Sequence, residues 1–397
     1  MLQKTRSFIL IPYFVTLIIM IAEIAISFNS VLLPNIKLSF DISDAMAQST
    51  LSIGLFALGF SGLIYGGFSD SLGRKPIFIT STTLFSIASY VCSHTEHTSV
   101  FLCARFLQGM GSGAAWIVGN ACLKDVYHGA AYRRIMNYVH AIAGITPAVA
   151  PLLGSWIAQT LGWRNCFLIL SIFSSLTVLL MIRYHQETLE HRTSLHFKTC
   201  LNRYYIVIKH PVYLRYLALK ASAVMLMFCE ISTIPLVFIE HLKISYSEYS
   251  QLILMAFIAY IMSTIWSARQ TKYPVELLLK IGFSGLIISN ITVYLFNHLI
   301  ALNAFQIQAI KLMSYASWGL IFGNATAQIV SLIPEHSGIA SAFMIATEML
   351  LSAGGISLLS VYFNGTIQPL SLFMTLVAFV CFMLLQGSQH LKPTTSR

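Results

Sequence analysis

Six ionisable side chains stand in stretches that are otherwise apolar: Glu23, Arg105, Lys220, Glu230, Lys311 and Glu348. In such surroundings each must find a partner, reach water or do chemistry. An ionised group near a bilayer centre costs about 2.5–3.5 kcal/mol on insertion scales, so its presence there points by default to function. Three acids and three bases can also pair to leave no net buried charge. The acids suit proton exchange. Glu23, in IIMIAEIAISF, has no basic neighbour within a helical turn. A desolvated carboxylate there can bind and release a proton; a protonated packing residue is the alternative. Glu348, in FMIATEMLLSAGG, fits either proton or cation binding or a structural hydrogen bond. Glu230 precedes Ile234-Pro235 by four residues and is placed to be wetted by a cavity. The bases suit an anion: Arg105, Lys220 and Lys311 either point inward, toward a carboxylate or substrate, or snorkel toward the interface.

These groups need a scaffold, and composition says which. Of 397 residues 56% are hydrophobic and 10% charged, with a mean hydropathy of +0.74. A soluble domain carries about 25% charged residues, so this chain has too few to cover a globule with water-facing groups. Its apolar blocks are roughly twenty residues long, the length a helix needs to cross a bilayer. Strand-like alternation at ten-residue spacing is absent, which argues against a β-barrel. Twelve spans are expected near 8–31, 47–68, 77–93, 99–122, 135–158, 165–184, 214–238, 249–268, 280–297, 305–331, 339–362 and 369–387. The long polar link 185–213 divides them six and six, giving bundles 1–184 and 214–397 about a cytoplasmic linker.

Charge placement tests that count. With the first terminus inside, 18 of the 24 Lys and Arg residues fall on one side and only Lys37, Arg164 and Lys243 on the other. That split follows the positive-inside rule and places both termini in the cytoplasm. The net charge of +10 is then topological, and nucleic-acid binding is not expected. Lys4 and Arg6 precede an apolar stretch without a small-x-small cleavage site, so it reads as an uncleaved span. The seven cysteines are scattered with no CxxC pair, which suggests neither a disulfide framework nor a zinc site. The halves share a faint likeness, WIVGNAC at 116–122 and LIFGNAT at 320–326. Paired six-span halves are one way secondary transporters are built.

Four stretches carry a family resemblance. The loop GGFSDSLGRKP at 66–76 resembles the loop motif of the major facilitator superfamily. Asp70 can meet the free amides of a helix start or a nearby Arg, Gly73 permits a sharp reversal, and Arg74 and Lys75 hold the loop inside. The family usually has Arg or Lys where Ser71 stands. The stretch CARFLQGMGSGAAWIVGNACLKDVYHGAAYRR at 103–134 is similar to the family's intramembrane Arg motif, with Arg105 early and Lys124-Asp125 at the helix end. GITPAVAPLLGSWI at 144–157 is similar to the span-five motif of drug:proton antiporters, with Gly144, Pro147, Pro151 and Gly154 as pivot positions. Thr146-Pro147 replaces the usual Gly-Pro. IFGNATAQIVSLIPEHSGIASAF at 321–343 resembles the bicyclomycin-resistance (Bcr/CflA) branch. That branch tends to place an acid late in the first span, before a Leu-Pro; here NSVLLP at 29–34 has none.

The resemblance implies an all-α membrane protein of twelve helices in two pseudo-symmetric bundles, exporting small lipophilic or cationic molecules in exchange for protons. Glu23, Glu348 and Glu230 would carry protons. Arg105, Lys220 and Lys311, with the aromatic residues Tyr13, Phe28, Trp116 and Trp266, would line the cavity. Asp70, Gly73, Arg74 and Asp125 would serve the conformational change. A second possibility is transport of an anionic metabolite, such as a polycarboxylate siderophore, by the three buried bases; a third is a non-transporting membrane receptor. No GxxxxGK[ST] phosphate loop is present, so ATP is not expected as the energy source, and the plain, short loops suggest no enzyme and no cofactor. The expected partners are a small-molecule substrate, protons and membrane lipids, around a monomer in the inner membrane. One charge moved across 100 mV is worth about 2.3 kcal/mol, enough to drive accumulation.

Overall fold

The computed structural model describes residues 10–189, 205, 207–270, 272–333 and 337–386, and among them there is no strand. The first half holds spans Ile11–Val31, Asp44–Leu72, Arg74–His94, Thr98–Val126, Gly129–Thr160 and Arg164–Tyr184. The second holds Pro211–His241, Tyr246–Arg269, Val275–Ile300, Ala304–Leu332, Ser337–Tyr362 and Gln368–Gln386. All twelve expected spans are present. Among the described residues, nine are at once long and apolar enough to cross a membrane. The fourth, fifth and tenth are the rest; the fourth is split at Gly113 into helices of 15 and 13 residues.

Several helices run past the expected ends because polar caps lie outside the apolar blocks. Ser43 accepts from the Met46 amide. Ser245 with Glu248 and Asn303 with Gln306 form reciprocal capping boxes, which satisfy amides that a helix start leaves free. Two spans are broken. The fourth is interrupted at Gly113, where a Cβ would clash with Ser61 of the crossing second span. The seventh is α-helical to Pro235 and then becomes a π-turn, Leu236–His241. Pro235 has no amide hydrogen to continue the ladder, so the register shifts there.

Helix pairing follows a two-fold pattern. In the first half, spans one and five, two and four, three and four, and three and six pack together. Adding six to each number gives the pairs of the second half: seven and eleven, eight and ten, nine and ten, nine and twelve. The halves meet where span two packs on eleven and span five on eight, two contacts that exchange under the same operation. Small residues let these helices approach, as expected where lipid supplies no hydrophobic drive between helices. Ser86 and Ser171 each donate to the other's carbonyl, at 2.9 and 3.0 Å, joining spans three and six. A Cβ on Gly109 would run into the Gly54 carbonyl between spans two and four.

Candidate functional site

Two of the four charges set in apolar stretches of the second half are joined at one point. Lys311 Nζ of span ten lies 2.7 Å from Glu230 Oε2 of span seven, with side chains 0 and 1% exposed. The same ammonium donates to Asn290 Oδ1 at 3.1 Å. Asn290 in turn donates to Ser314 Oγ, and Ser314 to Ser289 Oγ. The Tyr315 phenol interacts with the Glu230 carboxylate. Glu230, expected to be wetted, is instead the anionic centre of a closed polar network, and Lys311 does not snorkel. Each charge was affordable because the other lies beside it.

A second pair joins spans seven and eleven. Lys220 Nζ sits 2.7 Å from Glu348 Oε1 and 3.5 Å from the Met344 sulfur. Both lysines expected to face substrate, and two of the three acids expected to exchange protons, thus already hold opposite charges.

The first half differs. Glu23 is half-buried, and its Oε1 accepts a 3.1 Å hydrogen bond from the Trp116 indole of span four. Of Glu23, Glu230 and Glu348, it alone has no basic partner among the described residues. Arg105 is buried, at 3% exposure. Its Nε donates to the Thr50 carbonyl at 3.2 Å and its Nη1 to the Gln108 side chain. Its guanidinium carbon lies 5.9 Å from the Phe167 ring centroid. No carboxylate among the described residues pairs with it, so the expected role of holding a neighbouring acid is not what its geometry shows. Late in the first span, Asn29 bonds Thr50 at 3.1 Å and Ser30 donates to the Ile231 carbonyl; neither carries a charge. Arg105, Gln108 and Ser112 line a cavity of about 10 Å³ with Gly54 and Leu55, room for about one water.

At one end of the bundle, the loop between spans two and three is tied to span four. Arg74 reaches Asp70 Oδ1 at 2.6 Å, Asp125 Oδ2 at 3.1 Å and Ser69 Oγ at 2.6 Å. The free amides of the third span's start are met by Glu187, not by Asp70. Glu187 accepts from the amides of Arg74 at 2.9 Å and Lys75 at 3.3 Å, while Thr188 donates to Asp125 at 3.1 Å. Glu187 and Thr188 escaped sequence reasoning because they sit in a polar link with no pattern. Beside them, burial, with Lys75 nearby, holds the His185 imidazole down at about 4, so it is neutral between the rings of Phe14 and Phe78.

Gly73 makes this arrangement possible. Its φ of +108° suits glycine, and a Cβ would meet the Glu187 carboxylate. Gly73→Ala is expected to cost about 1–3 kcal/mol. Purified variant protein should melt at a lower temperature and be cut faster by trypsin at Arg74-Lys75; unchanged melting and cleavage would contradict the assignment.

At the opposite end, side chains join the two halves. Lys37 bonds Glu240 of the π-turn and lies 2.7 Å from Asp44. His241 Nε2 is 3.9 Å from Asp44 Oδ2. Tyr246 donates to Asn35, Ser155 and Ser250 share a 2.8 Å hydrogen bond, and Ser357 donates to Ser52 at 3.3 Å. Burial works against the Lys37 ammonium, but the Asp44 and Glu240 carboxylates more than offset it and raise its pKa above that of an ordinary lysine.

A family model described as Major Facilitator Superfamily matches residues 15–356. The chain belongs to that superfamily. A protein of Shewanella oneidensis named multidrug resistance protein MdtL is 22% identical over 358 residues, 89% of each chain. An Escherichia coli protein of the same name is 32% identical over 156 residues, 39% of this chain and 40% of that one. In fold, the chain is similar to a bacterial homologue of the human lysosomal transporter Spinster, inward-facing and unoccupied, with a TM-score of 0.75 at 14% identity over 98% of this chain and 99% of that one. It is also similar to the xylose transporter XylE of E. coli, partially occluded and inward-open, with a TM-score of 0.75 at 14% identity over 99% of each. The likeness to both establishes the fold.

For a major facilitator protein, the remaining expected residues fall in varied places. Trp116 meets Glu23. Phe28 is 3% exposed and packs on Gly154 of span five, so it faces a helix contact and not an opening. Tyr13, 68% exposed, lies at the Arg74 end, and Trp266 is exposed on span eight. Pro147 and Pro151 lie inside the unbroken helix Gly129–Thr160, which also contains Gly144. The facilitator is an integral membrane protein.

Proposed function

We propose that this protein is a proton-coupled exporter of small lipophilic cations, working by alternating access, in which Glu23 carries the proton. The observation that supports it is the contrast of Glu23 with Glu230 and Glu348. Glu230 and Glu348 are each 2.7 Å from a lysine, whereas Glu23 has an indole for a partner and remains partly exposed. A carboxylate so placed can hold either a proton or a cation, and competition between the two is what exchange requires. The Trp116 face adds a surface for a lipophilic cation. Tyr65, Tyr127 and Tyr132, like Trp116, are partly buried against the apolar core formed by residues such as Phe14, Ile18 and Val118. The names of the MdtL relatives support the substrate class.

In this reading residues 1–184 and 214–397 are the two moving bundles and 185–213 their linker. The excess of Lys and Arg places the Arg74 end in the cytoplasm, with both termini, in the inner membrane. The Lys37 end then faces outward and is closed. Exchanging one proton for one monovalent cation moves no net charge, so the pH difference drives it, about tenfold accumulation per unit.

The test uses everted membrane vesicles holding a pH gradient and a pH-sensitive dye. Adding tetraphenylphosphonium should release protons, and collapsing the voltage with potassium and valinomycin should leave the release unchanged. A response to carboxylates alone would overturn the proposal. It would favour the second reading, an anion carrier, which the geometry reduces to Arg105 because both lysines are paired.

A further inference from the structure

Of the three bases set in apolar stretches, Arg105 alone has no carboxylate beside it among the described residues. A guanidinium keeps its proton inside a protein, and at 3% exposure bulk water does little to balance its charge. Five N–H groups radiate from it. Nε donates to the Thr50 carbonyl and Nη1 to Gln108, while Nη2 donates to no group among the described residues. The Phe167 ring offers a π face but no charge. Nη2 lies beside Gly54, where a Cβ would come within 3.2 Å of it. That glycine, with Ala22, Ala25, Leu51 and Ser112, lines the cavity between spans one, two and four.

The other half of the molecule shows what such a base takes. Lys311 is the seventh residue after the first of span ten, as Arg105 is in span four. By register the two hold matching places, and Lys311 is met by Glu230, five residues before Pro235. Five residues before Pro34 in span one stands Asn29, uncharged and bonded to Thr50. The first half thus keeps the cation of the pair without the anion.

We propose that the cavity beside Arg105 is a binding site for a small monovalent anion of the halide class, which supplies the counter-charge the chain does not. Nη2 is the donor that meets it. A space for about one water admits a single-atom halide, whereas acetate, sulfate and phosphate are too large. Pairing lowers the cost of burial for both ions at once. The site belongs to the first bundle and needs neither the proton role of Glu23 nor alternating access. The anion is a fixed part of the folded bundle and not cargo.

Halide titration of the purified protein in detergent tests this. A ligand that binds only the folded state raises the melting temperature as its concentration grows. With gluconate exchanged for chloride or bromide at fixed ionic strength, the wild-type midpoint should climb by a few degrees over a roughly hundred-fold rise in halide. Gly54→Ala fills the cavity and keeps the guanidinium, whereas Arg105→Gln removes the charge; in both the climb should vanish. Anomalous scattering from bromide-soaked crystals of the wild type should place a peak within hydrogen-bond distance of Nη2. Melting indifferent to halide would overturn the site. So would an equal climb in all three proteins, which puts the effect elsewhere. An equal response to acetate would overturn the halide class and make the ligand a carboxylate. A bromide map without a peak beside Arg105 would leave water in the cavity and overturn the anion.

Discussion

Lys311→Ala is expected to destabilise the protein by about 3–5 kcal/mol, the cost of leaving a buried carboxylate without its counter-charge. Glu230→Ala should cost about as much, by stranding the ammonium. The size follows from the site's seclusion: both side chains are almost wholly buried, so neither can turn to water when its partner is removed. The double variant Lys311→Met with Glu230→Leu removes both charges and keeps the volume. It should recover most of the loss, because two apolar side chains need no counter-ion. Thermal melting and ligand-free denaturation in one detergent measure all three. Single substitutions that cost less than about 1 kcal/mol, or a double variant worse than either single, would contradict the pairing. The pair is a brace across spans seven and ten, and its loss should harm folding more than transport specificity.

Glu23→Gln is expected to act the other way, sparing stability and removing function. The amide oxygen can still accept the Trp116 hydrogen bond, so packing in the first half should hold and melting should shift little. The amide does not titrate and carries no negative charge. Proton-driven accumulation of a lipophilic cation should fall from about tenfold per pH unit to none, with only passive equilibration left. Glu348→Gln, whose partner is Lys220 at 2.7 Å, should instead lower stability. A Glu23→Gln protein that still pumps would move the proton role elsewhere.

The twelve spans were legible because apolar blocks of bilayer length leave a chain few other options, and the basic residues confirmed the count independently. Helix ends were less legible, since caps such as Ser43, Ser245 and Asn303 are polar and lie outside those blocks. The six ionisable residues set in apolar stretches, Glu23, Arg105, Lys220, Glu230, Lys311 and Glu348, were visible one by one. What remained hidden was who meets whom: Glu230 and Lys311 are separated by 81 residues, and nothing along the chain states that spans seven and ten bring them to one point. Of the three acids and three bases that could pair, Glu230 meets Lys311 and Glu348 meets Lys220. Glu23 and Arg105 instead meet uncharged partners, the Trp116 indole for one and the Thr50 carbonyl and Gln108 for the other. Glu187 was invisible on different grounds: its role is to accept from backbone amides, and amides leave no trace in residue type.

Proton release on binding is the most direct test of Glu23 as the exchange site. Purified protein in weak buffer, near the pH where export runs, is titrated with tetraphenylphosphonium while the solution pH is followed. Wild-type protein should release about one proton per cation bound, and Glu23→Gln should bind weakly and release none. Equal release by both proteins, or tight cation binding with no release by wild type, would contradict the account.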